Sequence, residues 1–273
     1  MDRIIGIIGF GNMGQAMGEH LKFDYQIVVF DKDNSKLKDL KKITIADNIV
    51  NLISQVDTLI LAVKPQDFAL VLNEIKDQIN KKLIISIAAG ITTAYVEKYS
   101  DRIRVIRVMP NMPAKIGKGM SCLCKGKFAS LEDLKFAQEL FKRMGETLIL
   151  KEDMMDAATA VSGSGPGFLY DLSEGKSLEE IKKFTQDVFI PALKESAREI
   201  GFRYNDAHIL SKATAEGSIA YLEKTKISPG EAKRQVASKG GTTEAGLEIL
   251  LKGGSLKEAV KAALKRAKEL SQG

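Results

Sequence analysis

Two glycine-rich stretches at opposite ends of a 273-residue chain carry the groups best suited to holding anions. The first, Gly9-Phe10-Gly11-Asn12-Met13-Gly14, is a G-x-G-x-x-G placed after the apolar run Arg3–Ile8 and before a helical pattern. In that context the first glycine permits a tight turn, the second lets a pyrophosphate approach the backbone, and the third lets helix and strand pack closely. Free N–H groups at the helix start, with the helix dipole, then hold the phosphates. Asp31 ends the next apolar run, about 20 residues past the glycines, where a carboxylate bonds the adenosine ribose hydroxyls of NAD(H). Lys32 is adjacent and Lys36 lies a helical turn on, where a 2′-phosphate would sit, so NADP(H) stays open. Both lysines also read as ordinary surface.

The second stretch, Ser238-Lys239-Gly240-Gly241-Thr242-Thr243-Glu244, runs into a helical pattern around Leu247 and Leu250. Backbone N–H groups and two hydroxyls at a helix start make a pocket of the kind that takes a carboxylate. The same residues also read as a threonine-capped helix after a glycine turn. Ser162-Gly163-Ser164-Gly165-Pro166-Gly167 interrupts a helical region, as an interhelical turn or as a place of close packing or ligand contact. Lys64-Pro65 and Asn111 follow apolar runs, at the strand ends where open α/β sheets place ligands. His20 and His208 are the only histidines, and Cys122 and Cys124 the only cysteines, so neither a metal centre nor a disulfide framework is expected. The cysteines read as buried strand residues. Chemistry then falls to a bound cofactor and to backbone groups.

The elements that must position these residues fall in two halves. Arg3–Ile8, Gln26–Phe30, Thr58–Val63, Leu83–Ile87 and Arg104–Val108 are short and apolar at consecutive positions, as strands of a parallel sheet covered on both faces are. Helical patterns alternate with them at Met13–Leu21, Asp67–Ile75 and Thr92–Tyr99, with Thr92 as an N-cap. Met120–Cys124 and Glu146–Leu150 flank a helix capped by Ser130 and extend one edge of the sheet. Beyond Lys151 only helical patterns remain. The expectation is an α/β fold: an N-terminal Rossmann-like, doubly wound domain over residues 1–150 and an all-helical domain over 151–273.

A net charge of +6 arises from charges of both signs interleaved along the chain, which reads as solvated surface and not as a nucleic-acid footprint. The apolar start runs into the glycine turn and not into a cleavage site, and no apolar run reaches the roughly 20 residues a bilayer requires. A cytoplasmic protein without nucleic-acid or membrane partners is expected.

In order, IGFGNMG (8–14), LAVKPQ (61–66), SIAAGIT (86–92), RVMPNMPA (107–114), MDAATAVSGSGPGF (155–168) and SKGGTTEAGLEIL (238–250) resemble the pyrroline-5-carboxylate reductase family over nearly the whole chain. The resemblance implies NADPH or NADH as hydride donor to a cyclic imine carboxylate, yielding proline. It also implies a C-terminal domain that intertwines with a partner, giving a homodimer or a larger assembly of dimers. The implied cofactor positions are Gly9, Gly11, Asn12, Met13, Gly14, Asn48, Ala62, Val63, Lys64 and Pro65, with Ala88, Ala89 and Gly90 beside the nicotinamide half. The implied substrate positions are Ser238, Gly240, Gly241, Thr242 and Thr243, with Gln235 at the rim and Thr243 near the imine nitrogen.

Two departures stand out. Lys239 replaces the family's usual proline. The segment Tyr170–Ser177, followed by the amphipathic stretch Leu178–Gln186, intrudes into a helix that the family keeps whole. Alternatives are a reductase for a related imine carboxylate and a non-catalytic, dinucleotide-binding redox sensor. Oxidation of a β-hydroxyacid is disfavoured, because positions 162–172 hold no lysine.

Overall fold

The computed structural model describes residues 3–272, so the outermost limits of the expected domains, at 1, 2 and 273, lie outside the described residues. Among the described residues, eight strands form one sheet: β1 (Ile4–Ile8), β2 (Gln26–Phe30), β3 (Thr44–Ile45), β4 (Thr58–Leu61), β5 (Leu83–Ser86), β6 (Arg104–Pro110), β7 (Gly119–Lys125) and β8 (Gly145–Ile149). Their spatial order is β3-β2-β1-β4-β5-β6-β7-β8. The pairs from β3 through β6 are parallel, with Ile7 opposite Val29 on one side and Ile60 on the other. Between them run α1 (Asn12–Leu21), α2 (Ile49–Gln55), α3 (Pro65–Ile75), α4 (Thr93–Glu97) and α5 (Leu131–Lys142).

Consecutive apolar residues make these strands because both sheet faces are covered. Ile5, Ile7, Leu59, Ile60, Ile84 and Ile85 are fully buried, each contributing about 1.5–3 kcal/mol. Thr92 accepts from Tyr95 N–H (3.1 Å), and Ser130 forms a capping box with Asp133, as their sequence positions predict. The centre of the sheet carries the consequence for function. From β1 the chain goes to β2 on one side and later to β4 on the other, so the loops after β1 and β4 diverge at a switch point.

The chain divides into two compact units, Met1–Val108 with Leu123–Met144, and Met109–Cys122 with Gly145–Gly273. Sequence patterning set the division near Leu150; by contacts the second unit begins at Gly145 and also takes residues 109–122. Beyond β8 it is helical: α6 (Met155–Ala158), α7 (Gly165–Leu172), α8 (Leu178–Phe184), α9 (Ile190–Glu199), α10 (Tyr204–Thr225), α11 (Pro229–Val236), α12 (Thr242–Leu251) and α13 (Leu256–Gln272). No helix among the described residues is long and apolar enough to cross a membrane. Cys122 and Cys124 are buried on β7 and form no disulfide, and burial pushes the Cys122 thiol pKa up.

The stretch at 162–167 does not interrupt the helix as expected; of the readings left open, close packing fits and an interhelical turn does not. Thr159–Gly163 form a single wide π turn, in which Ser164 N–H donates to Thr159 O (3.0 Å), and α7 follows at once. Pro166 sits in the first turn of α7, where a missing N–H costs nothing. The small residues serve close packing instead: a Cβ on Gly165 would lie 2.9 Å from Thr214 Cγ2. Helix α7 stops at Leu172, Gly175 turns the chain at φ +77, and Ser177 and Glu180 form a capping box that starts α8.

Candidate functional site

In the first unit a cleft of about 580 Å³ opens at the switch point. Its walls include Gly9 and Gly11 after β1, Asp31, Lys32 and Lys36 after β2, Asn48 at the start of α2, and Ala62, Val63 and Lys64 after β4. These residues come from four separate segments, and the sheet order brings them together. Asn12, Met13 and Gly14, in the first turn of α1, do not line this cleft, nor do Pro65, Ala88, Ala89 and Gly90. Ala88–Gly90 follow β5, one strand further along the sheet.

The three glycines divide the work. Gly9 has φ +94, and a Cβ there would strike the Ala62–Val63 backbone at 2.7–2.8 Å. A Cβ on Gly14 would strike the Gly9 carbonyl, so only glycine lets α1 start this close to β1. Gly11 has nothing within 4 Å of its would-be Cβ. No side chain caps the start of α1. The loop thus fits a dinucleotide pyrophosphate: two glycines build the turn and the third leaves room for the ligand.

Asp31 ties the loop to β2. It is 6 % exposed; its Oδ2 accepts from Phe10 N–H (2.6 Å), and its Oδ1 accepts from Asp33 N–H (2.8 Å). Lys36 Nζ donates to both oxygens, at 3.1 and 3.3 Å. Burial alone would raise the Asp31 pKa, but the two backbone N–H groups and the Lys36 ammonium outweigh it and hold it below 3.8. A depressed folded pKa stabilises the fold above the unfolded value, and this contribution disappears as pH falls through the folded value. Asp31→Ala strands the Phe10 N–H and is expected to cost about 1–3 kcal/mol at neutral pH. Urea unfolding checks this, and the wild-type and variant stabilities should converge in acid as the carboxylate protonates.

Lys32 Nζ pairs with Asp67 Oδ1 at 3.0 Å and is largely exposed. Asn48 Oδ1 caps α2 by accepting from Asn51 N–H (2.8 Å), leaving its Nδ2 as a donor at the cleft. Sequence reasoning missed Asp67, Leu70, Val71 and Glu74, which line the cleft from α3. Leu70 is 71 % exposed, and an apolar residue on the outer face of an amphipathic helix was the one available signal.

In the second unit, Ser238–Thr243 form a loop held from several sides. Arg266 Nε donates to Gly240 O (2.8 Å), Gly240 N–H donates to Glu244 Oε2 (2.7 Å), and Gly241 N–H turns back to Ser238 O (3.0 Å). Gly240 sits at φ +70, and Gly241 begins α12 with no side-chain cap. Thr242 Oγ1 and Ser164 Oγ share a hydrogen bond of 3.0 Å, which joins the loop to the segment between the π turn and α7. Thr243 is buried with its methyl against Gly167, where a Cβ would lie 2.5 Å away. Gln235, on α11, accepts from the Tyr221 hydroxyl (2.8 Å). Asn111 is spent internally: its Nδ2 donates to Ser162 O (3.2 Å) and its Oδ1 accepts from Met120 N–H (2.8 Å). It therefore staples this unit, whereas its position after a strand had pointed to a ligand.

Comparison with known proteins matches both ends of the chain to family models. Residues 4–90 match the model described as NADP oxidoreductase coenzyme F420-dependent, and residues 187–271 match pyrroline-5-carboxylate reductase dimerisation. The second match begins immediately after the intruding segment. The chain is 36% identical over 282 aligned residues to pyrroline-5-carboxylate reductase of Methanosarcina acetivorans, covering 98% of each. Among solved structures, a pyrroline-5-carboxylate reductase from Coxiella burnetii aligns over all of both chains with TM-score 0.67 and 28% identity. A pyrroline carboxylate reductase from Plasmodium falciparum with NADP bound aligns over 98% of each chain, with TM-score 0.63 and 26% identity.

Proposed function

This chain belongs to the pyrroline-5-carboxylate reductase family, and from that premise we propose how its own residues reduce 1-pyrroline-5-carboxylate to proline. It is an NAD(P)H-dependent oxidoreductase acting on a CH–NH bond. The observation that carries the assignment of roles is the pairing of an open, uncapped glycine loop at Gly11 with a second uncapped helix start at Gly241. One suits a pyrophosphate and the other a single carboxylate.

When bound, reduced nicotinamide supplies a hydride to the imine carbon. Gly9, Gly11, Asn12, Met13 and Gly14 would hold the dinucleotide phosphates, Asp31 and Lys32 would face the adenosine ribose, and Asn48 and Ala62–Pro65 would complete that wall. Ala88, Ala89 and Gly90 would flank the nicotinamide. The N–H groups at the start of α12, with Ser238, fix the substrate carboxylate, and Gln235 stands at the rim. Orientation of this kind is worth about 7–11 kcal/mol of barrier.

As the C=N bond takes the hydride, its nitrogen must gain a proton to become the secondary amine. A threonine hydroxyl is too weak an acid to supply that proton alone, so Thr243 hydrogen-bonds the nitrogen and relays a proton from water. The helical second unit carries the dimer contacts, and the enzyme works as a homodimer or an assembly of dimers in the cytoplasm. The test is NADPH and NADH consumption with 1-pyrroline-5-carboxylate: turnover is expected, and none with either cofactor overturns the assignment. Lys239 and the intruding segment are the specific grounds for a second reading, a six-membered imine carboxylate. Side-by-side kinetics on the two ring sizes separates them, with higher kcat/KM expected for the five-membered ring.

A further inference from the structure

Helix α11 poses a problem of placement. It has eight residues, too few to be stable in isolation, and it buries a single side chain, Ala232. It packs on α7, with Val236 beside Gly167, and it carries Gln235 and leads through Ala237 into the Ser238–Thr243 loop. Polar contacts add direction to that packing. Lys233 Nζ lies 2.8 Å from Asp171 Oδ1 and 2.7 Å from Glu174 Oε1, and its side chain is only 23% exposed. Both carboxylates come from the intruding segment: Asp171 from the last turn of α7 and Glu174 from the turn before α8. On the other side, Gln235 is held by Tyr221. Gly230, at the start of α11, lies beside the same Glu174 carboxylate.

We propose that the intruding segment is a brace for the substrate loop: Asp171 and Glu174 clamp Lys233 and so make it a positioning residue that sets Gln235 and the Ser238–Thr243 backbone for binding the imine carboxylate. This rests on the assignment of that loop to substrate. One ammonium between two carboxylates, partly shielded from water, is held in direction as well as distance. Its loss removes the charged anchor of a short helix, two residues from Gln235 and five from Ser238. The other ion pairs of the segment, Lys182 with Glu179 and Glu223, lie on exposed side chains and stay intact in the test.

The test compares Lys233→Met and Lys233→Arg with the wild-type holoenzyme. Lys233→Met should raise KM for 1-pyrroline-5-carboxylate about tenfold, since small misplacements of positioning groups are costly, while KM for NADPH stays within about twofold. Hydrogen exchange at residues 235–243 should quicken, and Lys233→Arg should restore both readings. Asp171→Asn with Glu174→Gln should reproduce the Met variant if Lys233→Met folds poorly. Unchanged substrate KM, or a parallel loss in both KM values, or unaltered exchange at 235–243, overturns the brace. Should wild-type protein reduce no cyclic imine, the substrate assignment fails on its own, and the exchange comparison still decides whether the clamp holds the loop.

Discussion

Replacing Gly11 with valine should leave a folded protein that no longer binds dinucleotide at useful concentration. The open space around Gly11 predicts no clash on folding, so the thermal midpoint should stay close to wild type. A branched side chain there would occupy the approach of the pyrophosphate to the uncapped N–H groups of α1. Losing one or two charge-assisted hydrogen bonds at about 1.5–3 kcal/mol each lowers affinity by about a hundredfold. Gly14→Ala makes the contrast. Its Cβ would be driven into the Gly9 carbonyl, backbone that cannot rotate away, and overpacking of this kind costs about 3 kcal/mol. Thermal unfolding and NADPH fluorescence titration on the two variants separate a binding defect from a folding defect. A Gly11→Val protein with wild-type NADPH affinity would show that the dinucleotide lies elsewhere.

Thr243→Ala should lower kcat by about tenfold to a hundredfold, the usual scale for loss of a proton-transfer partner. Thr243→Ser should recover most of it by returning the hydroxyl. The prediction rests on the division of labour between the two threonines. Thr242 spends its hydroxyl on Ser164, whereas no described residue hydrogen-bonds the Thr243 hydroxyl. Packing of the Thr243 methyl against Gly167 fixes its rotamer. Alanine removes that contact as well, so the serine variant is the decisive one. If Thr243→Ala turns over at the wild-type rate, Thr243 has no part in protonating the imine nitrogen.

Most of the frame was legible because each local signal agreed with the tertiary result. The strand β2 lies at Gln26–Phe30, where its apolar run predicts it, and Thr92 and Ser130 cap the helices they precede. Short elements were not legible. The strand β3 has two residues, both exposed, and its neighbour α2 has seven, so neither carries enough periodicity to register. The stretch from Ser162 to Gly167 misled because glycine and proline usually punctuate. Here close helix contacts and an N-terminal proline position let the chain stay helical through them. Contacts made across long sequence separations left no local trace: Lys32 with Asp67, Phe10 N–H with Asp31, and Lys233 with Asp171. The carboxylate at Asp31 was visible as a dinucleotide signal, but its grip on the glycine loop follows only from the distance between β1 and β2.

The central claim is that the start of α12 holds the substrate's acid group. A crystal structure of the protein with oxidised cofactor and proline tests it most directly. The account predicts the proline carboxylate within hydrogen-bond distance of the N–H groups of Thr242 or Thr243, with the ring nitrogen toward the Thr243 hydroxyl. A carboxylate bound by other groups, with those N–H groups left to water, would contradict it.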